Sequence, residues 1–272
     1  VLVDVNGKGY YVNITDGKGQ LVIPDVAGGD YTVTARYPGD DKYNAYDVGN
    51  KSVTISDIPS TVSVKVDDIT YGDKAIIEVT VPEDATGNVT VTIDGKDYTA
   101  NVTGGKATVI VPDLKAGNYT VDVTYNGDDK YSASNATGEF EVTKDVVDPD
   151  DIKVVDQGNG TVVVVVPEGA TGNITVKLGN DTYTVPIENG VATLTITNAT
   201  PGVHDIDVTY SGDENHTGAD TAGTLTVPKD QTPISVTVDD ISVGDKATVK
   251  VTVPENATGN VTIEIDGKEY TA

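Results

Sequence analysis

Three residue types in this chain have the chemistry and spacing to form a site: loop carboxylates, asparagines followed two residues later by Ser or Thr, and two histidines. The carboxylates come in short runs, Asp40-Asp41, Asp128-Asp129 and Asp213-Glu214, with a denser set at Asp145, Asp148, Asp150 and Asp151. Calcium needs six to eight oxygen ligands, so Asp128, Asp129 and the 145–151 cluster are the candidate ligands for that ion. Aspartate is also a turn former, and a solvated acidic surface is the competing explanation. No EF-hand loop or calcium-binding nonapeptide occurs.

The asparagines are more specific. Of 17, 13 begin Asn-x-Ser/Thr, whereas Ser and Thr are about a sixth of the chain, so chance predicts about three. Each such triplet is a potential acceptor for an N-linked glycan, with candidates Asn88, Asn101, Asn118, Asn135, Asn173, Asn215, Asn256 and Asn260. Strands explain part of the excess, because residues i and i+2 share a face and a polar face of Asn and Thr generates the triplet at Asn88 and Asn173. Loop cases such as Asn135, Asn215 and Asn256 escape that explanation.

The histidines point away from catalysis. His204 aligns with Tyr31 and Tyr119, and His216 with Tyr43 and Tyr131, so each fills a slot that other copies give to tyrosine. The chain has no cysteine, no Gly-x-Ser-x-Gly elbow and no Gly-Lys-Ser/Thr phosphate loop. No enzyme is expected. A formal charge of −25 repels nucleic acid and anionic lipid, and no apolar run reaches the ~18 residues that membrane insertion requires.

The elements that position these residues are short alternating strands. In LKAGNYTVDVTYNGDDKY, Leu114–Tyr131, the apolar Tyr119, Val121, Val123 and Tyr125 alternate with Thr120, Asp122 and Thr124. The Leu-x-x-Gly-x-Tyr opening has the spacing of a tyrosine corner, in which the phenol bonds back to the preceding turn; Tyr31 repeats it, and His204 replaces the phenol with imidazole. The stretch recurs at Val26–Tyr43 and Ala199–His216, and TGNVTVTIDGKDYTA from Thr86 recurs from Thr171 and Thr258, at spacings of 85 and 87. Asp94-Gly95 is a two-residue hairpin turn. The outward positions Ile76, Ile110, Val163 and Val165 are apolar against the pattern and would form a lateral contact if they joined.

The predicted fold is all-β: tandem immunoglobulin-like antiparallel sandwiches, beads on a string with proline-stiffened linkers. The expected divisions are a partial domain at 1–56 (strands C to G), complete domains at 60–144 and 151–228, and a partial domain at 231–272 (strands A to C′). Since the chain has no methionine, an excerpt of a longer product is expected, with strand donation by a neighbouring copy as the alternative way to complete the partial domains.

The ATGN, DGK, Gly-x-Tyr and Tyr-x-Gly-Asp-[Asp/Glu]-[Lys/Asn]-[Tyr/His] pattern resembles the group-3 bacterial Ig-like repeats of large surface proteins, especially the adhesin-like proteins of methanogenic archaea. The resemblance covers the whole chain. It implies a non-enzymatic extracellular stalk or filament on a cell surface, without catalytic residues to transfer. Its partners would be neighbouring repeats of the same chain or other copies, and host or partner-cell glycans or proteins. The alternatives are a calcium- or glycan-binding module and a fibre subunit completed by strand donation.

Overall fold

A computed structural model describes residues 1–272. The only helical element is one 3-10 turn, Pro149–Asp151; everything else regular is β. The chain groups into two compact units, Val1–Val146 with Asp213–Thr217, and Val147–Gly212 with Gly218–Ala272.

The first repeat contributes β1 (Leu2–Val5), β2 (Lys8–Tyr11), β3 (Gly29–Tyr37) and β4 (Tyr46–Ile55), one sheet in the order β2-β1-β3-β4.

The second repeat is a full sandwich. Its strands are β5 (Ser63–Lys65), β6 (Ile69–Thr70), β7 (Ala75–Thr80), β8 (Asn88–Ile93), β9 (Lys96–Asn101), β10 (Lys106–Val111), β11 (Gly117–Tyr125) and β12 (Ser134–Thr143). One sheet runs β10-β7-β5 and the other β6-β12-β11-β8-β9. The period of two holds throughout: β7 buries Ala75, Ile77 and Val79 and exposes Ile76, Glu78 and Thr80. These join Val91, Val123, Tyr125 and Phe140 in one core. Asp94 and Gly95 turn the β8–β9 hairpin with φ of 50° and 72°, the left-handed pair that such a turn requires.

One feature departs from the expected layout. Residues 67–73, between β5 and β7, contain β6, which leaves the sheet of β5 and pairs in parallel with β12 through Ile69↔Val142 and Thr70↔Thr143. The opening strand thus divides between both sheets. The sequence signal was only two residues long, too short for a periodicity to show.

The third repeat has β13 (Lys153–Asp156), β14 (Thr161–Val165), β15 (Asn173–Leu178), β16 (Asp181–Pro186), β17 (Val191–Thr195), β18 (Gly202–Tyr210) and β19 (Ala219–Val227). Its sheets run β13-β14-β17 and β16-β15-β18-β19 around a core holding Val162, Val164, Ile174, Ile206 and Leu225. The last repeat is two hairpins, β20 (Ser235–Val238) with β21 (Val249–Thr252), and β22 (Thr262–Ile265) with β23 (Lys268–Thr271).

Candidate functional site

All three corner residues make the same bond. The hydroxyls of Tyr31 and Tyr119 donate to the carbonyls of Ala27 and Lys115 at 3.0 Å, and His204 Nε2 reaches the Thr200 carbonyl at 2.7 Å. Imidazole therefore substitutes fully for phenol here, because its far nitrogen carries a donor to the same carbonyl four residues back.

The acidic loops also share one design, in which the first aspartate accepts backbone N–H groups two and three residues on. Asp128 sits in the loop between β11 and β12, where its carboxylate accepts the backbone N–H groups of Lys130 at 2.9 Å and Tyr131 at 2.7 Å. Its other oxygen accepts the N–H and hydroxyl of Thr86, at 2.6 and 2.9 Å, from the loop before β8. Asp40 likewise accepts from Lys42 and Tyr43 and from the Tyr37 hydroxyl, and Asp213 accepts from Asn215 and His216. Desolvation pushes the Asp128 carboxyl up, but the amides of Thr86, Lys130 and Tyr131 outweigh it and hold the group well below the usual carboxylate range. Beside it, burial first and then the Asp128 carboxylate push the Tyr125 hydroxyl up to about 12.

Asp128→Ala is expected to destabilise the second repeat by about 1–2 kcal/mol, because three backbone donors lose an acceptor. Denaturant titration followed by hydrogen exchange over 86–131 measures it. The pH dependence has a fixed sign. The folded-state pKa lies below the ordinary 3.8, so the contribution is complete above about pH 4 and fades as pH falls through the acid range.

The calcium candidates do not converge. Asp148 caps the 3-10 turn by accepting the Asp150 N–H at 2.9 Å; Asp150 and Asp151 are exposed. No three acidic or histidine side chains gather anywhere at metal-binding distance. Asp129, the exposed second acid of its run, accepts the Gly28 N–H through its backbone carbonyl.

That last bond belongs to a joint that sequence reasoning missed. Ile58, in the linker after the first repeat, donates its N–H to the Lys130 carbonyl at 2.8 Å, and its own carbonyl accepts the Ser132 N–H at 3.0 Å, an isolated parallel bridge to Tyr131. Gly28, just ahead of β3, donates to the Asp129 carbonyl at 3.0 Å. Ser60 adds bonds to the Ser132 carbonyl at 2.7 Å and the Ser134 hydroxyl at 2.6 Å. A cleft of about 510 Å³ lies here, lined by Val26, Ala27, Ile55 and Ile58 with Asp129 and Lys130.

The set recurs within the same compact unit around Asp145 and the Asp213–Thr217 loop. Asp145 donates to the Asn215 carbonyl at 2.8 Å and accepts from Thr217 at 2.9 Å. Ala116, which aligns with Gly28, donates to Asn215 Oδ1 at 3.0 Å, and Lys115 pairs with Glu214 at 3.1 Å. His216, 3 % exposed, lies edge-on to Tyr71 with ring centroids 5.4 Å apart and bonds Asp213 at 2.9 Å through Nδ1. The histidine of the acidic loop is thus a buried packing residue. The available sequence signal was the loop motif itself, whose Asp and aromatic residue stand three apart in every copy.

Eleven of the 13 acceptor asparagines are exposed. Asn135, expected in a loop, lies instead in β12, where it shares the outward row with Thr137, so strand alternation accounts for its triplet too. Asn88 and Asn215 are half-buried, and both have their amide oxygens occupied, by Asn126 Nδ2 and by the Ala116 N–H.

The bacterial Ig-like domain (group 3) family model matches twice, over residues 62–143 and 149–228. The chain belongs to this family. Both matches fall on the complete sandwiches, whose core rows, corners and acidic loops the family pattern therefore spans. No curated protein matches the chain. Among solved structures it is similar to an I-band fragment of titin, at 11 % identity, covering 84 % of this chain and 86 % of that one, with a TM-score of 0.33. It is also similar to the fibronectin(III)-like modules of Clostridium thermocellum CbhA, at 12 % identity over 62 % of this chain and 94 % of that one, TM-score 0.27. The BSP domain of a biofilm associated protein matches at 23 % identity over 63 % of this chain and 30 % of the other, TM-score 0.23. No helix of the group-3 repeats is long and apolar enough to cross a membrane.

Proposed function

We propose that this Ig-like chain is a non-enzymatic spacer of a protein displayed outside the cell, a stalk or filament whose work is to hold distance and carry tension. The observation that carries this reading is the joint. The acidic loop between β11 and β12, the obvious place to grip a ligand, has its carbonyls at Asp129 and Lys130 committed to Gly28 and Ile58 of the preceding segment. A loop occupied in that way transmits orientation from one repeat to the next.

The decisive experiment is antibody labelling of intact producing cells, with antibodies raised against the folded chain. Labelling without permeabilisation is expected; signal that appears only after permeabilisation overturns the proposal.

The division of the opening strand bears on tension. In the second repeat, β6 and β12 run parallel near the two ends of the domain, with Ile69 opposite Val142 and Thr70 opposite Thr143, so pulling those ends apart loads the bonds between the two strands together, in shear. Tyr71 N–H adds a bond to the Thr143 carbonyl at 2.8 Å. The third repeat has no such parallel pair, and β13 pairs only with β14. In single-molecule extension of the tethered chain, the second repeat is expected to yield at higher force than the third. Thr143→Pro removes the N–H on the edge of β12 that faces β6, the edge on which the Thr143 carbonyl accepts from Tyr71, and is expected to abolish the difference.

A further inference from the structure

The two outer faces of the second sandwich differ in one respect that amphipathic alternation does not explain. The sheet β10-β7-β5 carries an ordinary outward row, including Glu78, Thr80 and Thr108, yet it contains no asparagine. Its outward apolar pair is Ile76 and Ile110, directly opposed in register and 53 % and 55 % exposed. All four acceptor triplets of this repeat, at Asn88, Asn101, Asn118 and Asn135, lie on the other sheet. If polar alternation alone produced the triplets, both faces would have them. In the third repeat β13, β14 and β17 likewise have no asparagine, while the opposite sheet has Asn173 in β15 and Asn180 in its first hairpin; the remaining triplets, at Asn159 and Asn198, lie in the loops beside β14 and β17.

Within the bearing face the four are not equivalent. Asn101, Asn118 and Asn135 are exposed and their side chains make no hydrogen bond, so Nδ2 stands free in each. Asn88 is directly opposite Asn101 and its Oδ1 accepts from Asn126 Nδ2 at 2.5 Å. Two glycans on directly opposed residues, whose Cα atoms are about 5 Å apart, would collide. Asn118 and Asn135 sit toward opposite ends of the β11–β12 pair, facing Glu141 and Thr124, which leaves room for both.

We propose that the outer face of the sheet β6-β12-β11-β8-β9 is a glycan-bearing surface, with Asn101, Asn118 and Asn135 modified and Asn88 and Asn215 withheld in the folded protein. The donor class is a lipid-pyrophosphate-linked oligosaccharide. Asparagine Nδ2 forms a bond to C1 of the first sugar, the C1–O bond to the pyrophosphate breaks with its electron pair leaving on the phosphate, and one amide proton passes to a base of the transferase. The proposal rests on export of the chain, and the experiment supplies export so that the two fail separately.

The full chain is secreted under an added leader from a glycosylating cell line, with an unstructured Asn-Ala-Thr tag appended to report the host's capacity. Peptide mass spectrometry after N-glycosidase release in heavy-oxygen water then reads each site in the folded, secreted fraction. Occupancy at Asn101, Asn118 and Asn135 is expected to exceed that at Asn88 and Asn215 by up to about tenfold, the upper end of what one intramolecular hydrogen bond is worth. Asn126→Ala, which frees the Asn88 side chain, together with Asn101→Gln, which clears its neighbour, is expected to raise Asn88 occupancy. A modified tag beside bare asparagines at the three exposed positions overturns the proposal. So does occupancy at Asn88 or Asn215 equal to theirs, or an Asn88 that does not respond to the double change.

Discussion

Ile77→Ala is expected to destabilise the second repeat by about 2–5 kcal/mol, whereas Ile76→Ala, one residue earlier in the same strand, is expected to change it by no more than about 0.5 kcal/mol. Ile77 is fully buried in β7 among the aliphatic side chains of both sheets, and truncating it loses transfer free energy and leaves a cavity that flanking strands cannot collapse into. Ile76 points to solvent, 53 % exposed, against Ile110. The two side chains are identical in composition, so the contrast measures only which face each occupies. A small domain holds about 5–15 kcal/mol in all, so the first substitution removes a large share of the stability and the second almost none. Since the chain has no tryptophan, peptide-resolved hydrogen exchange in rising denaturant is the suitable measurement, read over 75–111. Similar losses at both positions would contradict the two-layer packing.

That contrast also shows what the sequence discloses. Alternation of period two is visible wherever a strand has one wet and one dry face, and β7, β8, β10 and β11 each bury the row that their apolar residues predict. Asp94-Gly95 is legible for a different reason, since few residue pairs tolerate two consecutive left-handed conformations. The joint was not legible. Its bonds at Ile58, Gly28, Asp129 and Lys130 run largely through backbone N–H and carbonyl groups, which every residue possesses and no side chain advertises. The fate of the acidic loops was hidden in the same way. Asp128 reads equally as a ligand or as a turn former, and only the positions of the Lys130, Tyr131 and Thr86 amides show that its carboxylate ties its own loop to the loop before β8. His204 ran the opposite course: a change of residue type that casts doubt on a hydrogen bond kept the bond, because the ring reaches the Thr200 carbonyl as a phenol would.

The second large effect is expected at Gly223, whose backbone φ any residue could adopt. Space is what it lacks. In β19 the glycine lies on the inward row with Leu225 and Val227, and a Cβ built there would sit 2.4 Å from Val154 Cγ1 of β13. Gly138 occupies the same register in the second repeat, opposite Val121 as Gly223 is opposite Ile206, but there the nearest atom, Val64 Cγ1, is 3.0 Å away. In both sandwiches the missing side chain lets the opening strand lie close over the last one. Gly223→Val therefore has to displace β13 or overpack the core, and the expected loss is about 3 kcal/mol, at the upper end of overpacking costs. Gly223→Ala is expected to lose less, and Gly138→Ala less again, because its neighbour needs to give only a few tenths of an ångström. The damage should be local. Amides of 153–156 lose protection as β13 peels away, while 206–208, held between β15 and β19, keep theirs. Uniform loss across the third repeat would instead mean that the opening strand is integral to its folding unit, and an unchanged Gly223→Val protein would show that the close approach of β13 and β19 does not exist in solution.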